Sequence, residues 1–445
     1  MNVKKIVMLL AALGALPVFA AEEAKAPAQA AVKAASEPLS SFLGELLKTD
    51  RRIQSSQSDL DKETLIAKAK MGDWYPNLKL TSWAGREKID NPASADTSLD
   101  ASENDLTFTQ LLWDFGKTSA AVRQADLKAD KKMTTLGATR QNVIVEAASA
   151  YVNLHRALEV RDYAVRSEQN LARQLQLEQS KLAAGAGKAS DVQQVQAALS
   201  GASAHRARMD LTLQQANNRF LNEFGRYPVS AAALVRPALP TDVLPENQEE
   251  AVKQAMEVNP SLSNARKDLN IEREAVREEL ANSLLPKLEF IHDYKRKSNI
   301  AGTTGIKTEN FSKVQFTWDL DLGFAGRHKV EAAKFGVAKA NSDLTDVERN
   351  VTLQVKNAWQ SFNIAKRAKV HLDQQVSAAS QFLELARKEQ QAGKRSLLDV
   401  LNGETVLMNA QAEATSADAD ILLSAYNLLL VMGRVDEAAV SRLPK

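Results

Sequence analysis

The sequence contains no cysteine, and only 5% of its 445 residues are aromatic. The absence of cysteine excludes a disulfide framework, a thiolate zinc site and a cysteine nucleophile, and it suits an oxidising compartment, where a stray thiol is a liability. An excess of charge of one sign is also lacking, because 57 Lys and Arg residues balance 55 Asp and Glu residues. This balance argues against nucleic acid as a partner, since binding to a phosphate backbone requires a basic surface.

Proline is absent from two long stretches, between Pro92 and Pro228 and between Pro286 and Pro444. Because proline interrupts a helix, these two proline-free blocks, of 135 and 157 residues, predict long helices. Beyond the N-terminus, no stretch approaches the roughly 18 consecutive apolar residues that indicate a membrane-spanning helix. We therefore predict no transmembrane helix in the mature chain.

The N-terminus has the pattern of a secretory signal peptide at residues 1–20. Two lysines precede an apolar run at residues 6–18, and Ala20 completes a small-x-small cleavage site. The run is too short to span a membrane, which takes about 20 residues. The following segment, 21–38, is rich in Ala, Glu, Lys and Pro and is predicted to be disordered.

After residue 38 the chain repeats one plan at an offset of about 210 residues, and such self-similarity indicates a duplicated architecture. The matching positions are Pro76 and Pro286, Gly116-Lys117 and Gly326-Arg327, and two Gly-x5-Asp turns, Gly185 to Asp191 and Gly393 to Asp399.

Apolar residues at three- and four-residue spacing predict helices, and alternating apolar and polar residues predict strands. The first repeat, 39–224, has an opening helix, strands near 77–89 and 104–114, a long helix at 117–184 and a shorter helix at 190–224. The second repeat, 249–434, has an opening helix, strands near 287–297 and 311–322, a long helix at 327–392 and a shorter helix at 396–432. A linker at 225–248 joins the repeats, and a C-terminal tail occupies 435–445.

The four strands have about the length of tilted membrane strands. On the last strand, the residues predicted to face lipid are Val314, Phe316, Trp318, Leu320 and Leu322. Four strands cannot close a barrel, and open edges are not tolerated in lipid, so several copies must share one barrel. Two copies would give eight strands with a filled interior, and three would give twelve with room for a passage.

The long helices would each span about 100 Å and must pack side by side as coiled-coil-like rods. Together with the strands, the glycine-and-cation steps and the Gly-x5-Asp turns, this duplicated order resembles the TolC family of outer-membrane efflux proteins. The resemblance implies a mainly α fold with membrane β: a homotrimer whose antiparallel helices form a periplasmic α-barrel and whose strands form a 12-stranded β-barrel in outer-membrane lipid.

The resemblance also implies passive conduction, with energy supplied by an inner-membrane pump of the RND or ABC type through a periplasmic adaptor protein. The cargo, drugs in tripartite efflux or proteins in type I secretion, stays open. We expect no cofactor, no metal site and no enzymatic activity, because no nucleophile–base pair or cofactor motif is present. The alternative is a soluble periplasmic coiled-coil scaffold without channel activity.

The two turns at the far ends of the long helices are expected to form the tip remote from the barrel. The tip residues predicted to stop the helices and to dock the adaptor are Gly185, Gly187, Lys188, Gly393 and Lys394. Ser190 and Ser396 each fit a capping box, which predicts that they cap the next helix.

For the gate, the resemblance implies that Asp399 lines the constriction and that Arg395 holds the tip shut by bonding Asp191 or Ser190. An acidic ring at a constriction favours cations. The best-known family pattern has a second aspartate one helical turn later, where this chain has Asn402. We therefore expect a gate with less negative charge.

Overall fold

The structure, a computed structural model, describes residues 37–90, 96–230 and 233–442. The predicted signal peptide and residues 21–36 lie outside this part of the chain. In chain order the elements are α1 (Leu39–Thr49), α2 (Arg51–Met71), β1 (Asn77–Ile89), β2 (Thr97–Trp113), α3 (Lys117–Ala183), α4 (Ala189–Phe224), α5 (Gln248–Val258), α6 (Pro260–Leu284), β3 (Lys287–Ser298), β4 (Ile306–Thr317), α7 (Ala325–Gln391), α8 (Leu397–Met432) and α9 (Glu437–Val440).

The same order of elements occurs twice, which confirms the predicted internal repeat. Helices α3 and α7 have 67 residues each, and a helix of that length spans about 100 Å. The shorter helices α1, α2 and α4 lie along α3, whereas α5, α6 and α8 lie along α7. Contacts of α3 with α6 and α8 join the two repeats into one bundle.

Each opening helix is broken in two, whereas the sequence predicted one continuous helix per repeat. The first break is at Asp50, whose carboxylate accepts hydrogen bonds from the backbone N–H groups of Arg52 and Ile53. The second is at Asn259, which caps α6 in the same way and is followed by Pro260. A side-chain N-cap with proline at the first helical position is a strong helix start. The prediction overlooked this signal.

The four strands form one antiparallel sheet in the order β1-β2-β3-β4. Strand β2 begins at Thr97, not near 104, because residues 97–104 continue to pair with the end of β1. Within the described residues, no strand pairs with the outer edge of β1 or of β4. In the described part of the chain, the sheet is therefore open and has two free edges.

Strand β4 runs from Ile306 to Thr317 rather than over the predicted 311–322. It starts early because the hairpin loop is short: Asn299 N donates to the Gly305 carbonyl at 3.0 Å. It ends early because its partner β3 begins directly after Pro286, and the last pair joins the first residue of β3 to Thr317. Trp318, Leu320 and Leu322 consequently lie beyond the strand, which corrects their assignment to it.

The largest buried core lies at mid-length of the long helices. The hydroxyl of Tyr151 accepts a hydrogen bond from Val235 N and donates to the Glu37 carbonyl, both at 2.8 Å. The core side chains that are almost fully buried include Phe42, Tyr151, Leu154, Phe220, Leu422, Tyr426 and Leu429. The predicted linker and tail close over this region, since Tyr426 bonds the Val440 carbonyl at 3.1 Å.

The ends of the long helices remote from the sheet, which we call the tip, have much smaller clusters. One contains Leu171, Val195, Leu397 and Leu401, and the other contains Leu383, Ala386 and Val400. Across the described residues, no helix is long and apolar enough to cross a membrane.

Candidate functional site

The turn between α3 and α4 ends the long helix at a glycine in the left-handed conformation. Gly185 has φ +75°. Its N–H bonds the Leu182 carbonyl at 3.0 Å, and the N–H of Ala186 bonds the Lys181 carbonyl at 2.9 Å. This is a Schellman motif, which satisfies carbonyl groups at a helix C-terminus.

The turn between α7 and α8 has the same backbone hydrogen bonds. Gly393 has φ +72°, its N–H bonds the Gln390 carbonyl at 3.0 Å, and the N–H of Lys394 bonds the Glu389 carbonyl at 2.8 Å. Lys188 and Lys394 are exposed on the two turns, and neither forms an ion pair with a residue that the structure describes. Both turns thus present one exposed lysine just after the helix stop.

Beyond this shared stop, the two turns differ. A Cβ on Gly187 would lie 2.7 Å from the backbone nitrogen of Leu182, which is too close for any side chain. Arg395 occupies the matching position in the second turn, at the same offset as Gly185 and Gly393. The first turn therefore folds back more tightly on its helix.

The two serines predicted as N-caps have different roles. Ser396 caps α8, and its hydroxyl accepts from Asp399 N at 3.3 Å. Ser190 lies inside α4, whose N-cap is Lys188 with no side-chain hydrogen bond. The capping role predicted for Ser190 is wrong, because the extended backbone at Lys188 starts α4 earlier than the serine.

Arg395 does not contact Asp191 or Ser190 within the described chain. Its Nε bonds Glu389 Oε2 at 3.0 Å, and its guanidinium lies 5.1 Å from the centre of the Phe382 ring. Both partners belong to α7, so inside one chain Arg395 closes its own hairpin. This corrects the predicted bond as far as a single chain is concerned.

The remaining predicted gate residues lie close to the tip. Asp399 is half-buried and accepts from the Ser396 hydroxyl at 2.9 Å, and Asp191 lies 3.4 Å from the Ser190 hydroxyl. Asn402 is exposed one turn further along α8. The structure brings these residues together in local pairs, one pair at each hairpin.

The sheet has one polar and one apolar face, because successive residues in a strand point to opposite sides. The polar face carries charges that are paired across strands. The ion pairs are Lys295 with Asp105 and Lys297 with Glu309, both at 2.8 Å. On the same face, the Thr107 hydroxyl donates a hydrogen bond to Asp293 Oδ1 at 2.7 Å.

The apolar face carries Leu78, Leu80, Leu106, Phe108, Leu288, Phe290, Val314 and Phe316. Val314 and Phe316 are 61% and 60% exposed. Trp318, Leu320 and Leu322 continue the same alternation beyond the strand and are also exposed. A large apolar surface of this kind requires a non-aqueous environment or a partner.

One functional candidate was missed by the sequence analysis. Glu404 on α8 is only 7% exposed. It forms an ion pair with Arg387 of α7 and accepts a hydrogen bond from Asn170 Nδ2 of α3 at 3.3 Å. A signal was present, since Glu404 occupies an apolar row with 4-3-4 spacing, which is typical of a buried helix face. The other members of the row are Leu397, Leu401 and Met408.

Comparison with known proteins gives a consistent result. The family described as outer membrane efflux protein matches residues 42–225 and 251–434. The chain is 25% identical over 349 residues to the outer membrane protein TolC of Escherichia coli, and this alignment covers 76% of this chain and 70% of TolC. It is 24% identical over 337 residues to the outer membrane efflux protein BepC of Brucella suis, and this alignment covers 74% of this chain and 72% of BepC.

The fold is similar to the crystal structure of the outer membrane protein VceC from Vibrio cholerae. The TM-score is 0.76 at 18% sequence identity, and the match covers 89% of this chain and 96% of VceC. The two family matches coincide with the two structural repeats.

Proposed function

The chain belongs to the outer membrane efflux protein family, whose members are outer-membrane channels, and from this premise we propose that three copies assemble into one passive exit duct. The duct consists of a shared membrane barrel and a helical tunnel in the periplasm. It carries cargo that an inner-membrane pump delivers.

The observation that carries this proposal is the open sheet. Unpaired backbone groups in lipid cost several kcal/mol each, so the free edges of β1 and β4 must find partners. Strands β1 and β4 run in opposite directions, so β4 of one copy can pair with β1 of the next and keep the sheet antiparallel. Residues 318–322, which pair with no strand in the described part of the chain, would then gain a strand partner in the neighbouring β1.

Three copies explain the two faces of the sheet better than two. A barrel of eight strands is filled by its own side chains, whereas twelve strands enclose a passage. The charged face would line that passage, with its Lys and Asp or Glu residues paired across strands. The apolar face would contact lipid.

The helical part would continue the passage. Each chain contributes α3 and α7 together with the shorter helices stacked along them, so three chains supply enough rods to enclose a tunnel. The tip, about 100 Å from the sheet, is the natural docking place for a periplasmic adaptor protein. We assign this contact to the two turns with Lys188 and Lys394.

The duct has no energy source of its own in this proposal, and the pump, of the RND or ABC type, drives transport. Asp399 is placed at the constriction, where an acidic ring would favour cations. Asn402 adds no charge one turn away, so the selectivity should be weak. In this proposal Arg395 contributes to closure through contacts between copies, while within its own chain it pairs with Glu389.

The test is a pair of neighbouring arginine substitutions on β4. Phe316→Arg puts a charge on the apolar face, where Arg costs about 2–4 kcal/mol per copy at the bilayer midplane. Gln315→Arg is the matched control, because Gln315 points to the polar face. We expect the wild type and Gln315→Arg to be extracted from outer membranes as trimers, and Phe316→Arg to be lost from that fraction.

Normal membrane assembly of Phe316→Arg would show that this face does not contact lipid. A wild-type protein recovered as a soluble monomer or dimer would end the duct proposal and favour the coiled-coil scaffold. Mass measurement of the detergent-extracted species reads out both results.

A further inference from the structure

We propose that the loop between β3 and β4, residues 299–305, is a strap that narrows the outer mouth of the barrel and sets the largest solute that can enter from outside. The inference rests on the proposed function, because the sheet has a mouth only if it belongs to a barrel. The strap lies at the end of the strands remote from the helices. It is therefore separate from the tip, which is at the opposite end of the duct.

The first β-hairpin extends further from the helices than the second. The outermost pair of β2 with β3 joins Ser102 to Ser298, whereas β2 continues to pair with β1 as far as Thr97. Beyond Ser102, one backbone edge of β2 has no strand beside it in the described part of the chain. Asn299 binds this edge, since its Nδ2 donates to the Asp100 carbonyl at 3.0 Å. The loop thus turns sideways toward the first hairpin.

The loop lies on the polar face of the sheet. Gly302 N donates to Glu87 Oε2 at 3.2 Å. A Cβ on Gly302 would lie 3.0 Å from Thr97 Oγ1 and 3.6 Å from Ile89 Cδ1. Thr97 is an even number of residues from Asp105 along β2, and its cross-strand neighbours Ile89 and Glu87 share its side. In the proposed barrel, this is the face that lines the passage.

The loop arches over the polar face and crosses more than one strand. A cavity of about 460 Å³ lies between the loop and the strand ends, and Lys297, Lys307 and Glu309 line it. From β3 the loop passes β2 and reaches Glu87 on β1, which is about 10 Å at the usual strand spacing. A layer of chain on the inner wall of a barrel narrows the passage by its own thickness. Three copies would place three such layers around one mouth.

The loop has a restricted backbone conformation. Asn299, Ala301, Gly302 and Gly305 all have left-handed φ values, between +54° and +116°. Alanine rarely adopts this conformation, so contacts with the first hairpin must hold the loop in place. Asn299 Oδ1 also accepts from Gly305 N at 2.9 Å, which ties the two ends of the loop together. So few hydrogen bonds can yield to cargo that a pump drives outward, while they hinder solutes that arrive by diffusion.

The first experiment tests where the loop lies. The chain has no cysteine, so introduced pairs report distance without background. Thr97→Cys with Gly302→Cys should form a disulfide in oxidised outer membranes, because their Cβ atoms are close enough for one. Ser98→Cys with Gly302→Cys is the matched control, since Ser98 points to the opposite face. Cross-linking of the control pair in place of the Thr97 pair would overturn the strap.

The second experiment tests whether the loop limits entry. Gln315→Cys places one thiol on the polar face, near the end of β4 that adjoins the helices. Intact cells are treated with a small maleimide and with polyethylene-glycol maleimides of increasing length. We expect the small reagent to label the thiol quickly and the long reagents to label it slowly. This measurement does not depend on the tip, because the reagents enter from the other end of the duct.

Loosening the strap should admit the long reagents. In the Gln315→Cys background, Glu87→Ala removes the carboxylate that holds Gly302, and it should raise labelling by the long reagents about tenfold. Asn299→Ala frees the loop from β2 and should act in the same direction. Lys88→Ala is the matched control, because this neighbouring side chain points to the opposite face. Labelling by the small reagent should change in none of the variants.

Each outcome is read on variants that are extracted as trimers. Equal labelling by small and long reagents in the Gln315→Cys protein would overturn the strap and leave the duct intact. Unchanged labelling in both Glu87→Ala and Asn299→Ala would overturn it as well. A thiol that even the small reagent fails to reach, with or without these substitutions, would instead contradict the proposed function, because the polar face would then line no passage open to the outside.

Discussion

The two hairpin tips have the same backbone conformation but different side-chain contacts. Both end their long helix at a left-handed glycine with the same pair of backbone hydrogen bonds. At the α7/α8 tip, Ser396 is the N-cap of α8 and accepts a hydrogen bond from the backbone N–H of Asp399. Arg395 also forms an ion pair with Glu389 there. The α3/α4 tip has none of these contacts and instead folds tightly at Gly187.

The two repeats therefore share the glycine that ends the long helix, but they do not share the side-chain contacts around it. The α3/α4 tip is held by backbone geometry, so it tolerates no added Cβ at its tight point. The α7/α8 tip is held by polar side chains, so it can change through single contacts. Gate chemistry is therefore expected on the second hairpin.

The largest difference between the tips should come from alanine at their glycines. Gly187→Ala forces a Cβ against the Leu182 backbone and should cost about 2–3 kcal/mol. Gly393→Ala only places a side chain at positive φ and should cost about 1–2 kcal/mol. Thermal unfolding and limited proteolysis of the detergent-extracted protein compare the two, and equal losses would mean that the tips are held alike.

A smaller effect is expected for the charged residues of the turns. Arg395→Ser should raise single-channel conductance about twofold if this side chain narrows the passage, whereas Lys188→Ser should leave it unchanged. Unchanged conductance in both variants would remove Arg395 from closure.

The smallest effect concerns the serines. Ser396→Ala removes an N-cap and should weaken the start of α8 by about 1 kcal/mol. Ser190→Ala removes no cap and should be nearly neutral. Hydrogen exchange of the first turns of α4 and α8 measures both, and faster exchange in the Ser190 variant would contradict the structural assignment.

Much of the fold could be predicted because its signals are local and occur twice. Proline-free blocks gave the long helices, and the glycines marked their ends. The break at Asn259-Pro260 was equally local and was overlooked. The break at Asp50 was harder to find, because no proline accompanies it.

The limits of β4 could not be predicted, because they depend on its partner. The alternation of apolar and polar residues continues to Leu322, but strand pairing stops at Thr317, because the adjacent strand β3 begins only after Pro286. Alternation shows that a segment is able to form a strand, whereas its pairing with another strand depends on residues far away in the sequence. The same holds for Arg395, whose predicted partners lie on another hairpin.

The buried contacts of Glu404 could be predicted only in part from the sequence. Glu404 interrupts a buried apolar row, and that pattern alone flags an unusual carboxylate. Its partners Arg387 and Asn170 are 17 and 234 residues away, so no local pattern links them. The two serines show that a local motif can also mislead. Ser190 and Ser396 lie in similar sequence motifs, but only Ser396 is an N-cap, because α4 already starts after the extended backbone of Lys188.

The free strand edges have a consequence for inheritance as well as for structure. In a closed ring, each copy supplies one edge to the neighbour on its left and the other edge to the neighbour on its right. A copy with a defective β1 or β4 edge would therefore spoil the pairing of its intact neighbours. Alleles of this kind should be dominant over the wild type when both are expressed in one cell, whereas alleles that prevent folding should be recessive.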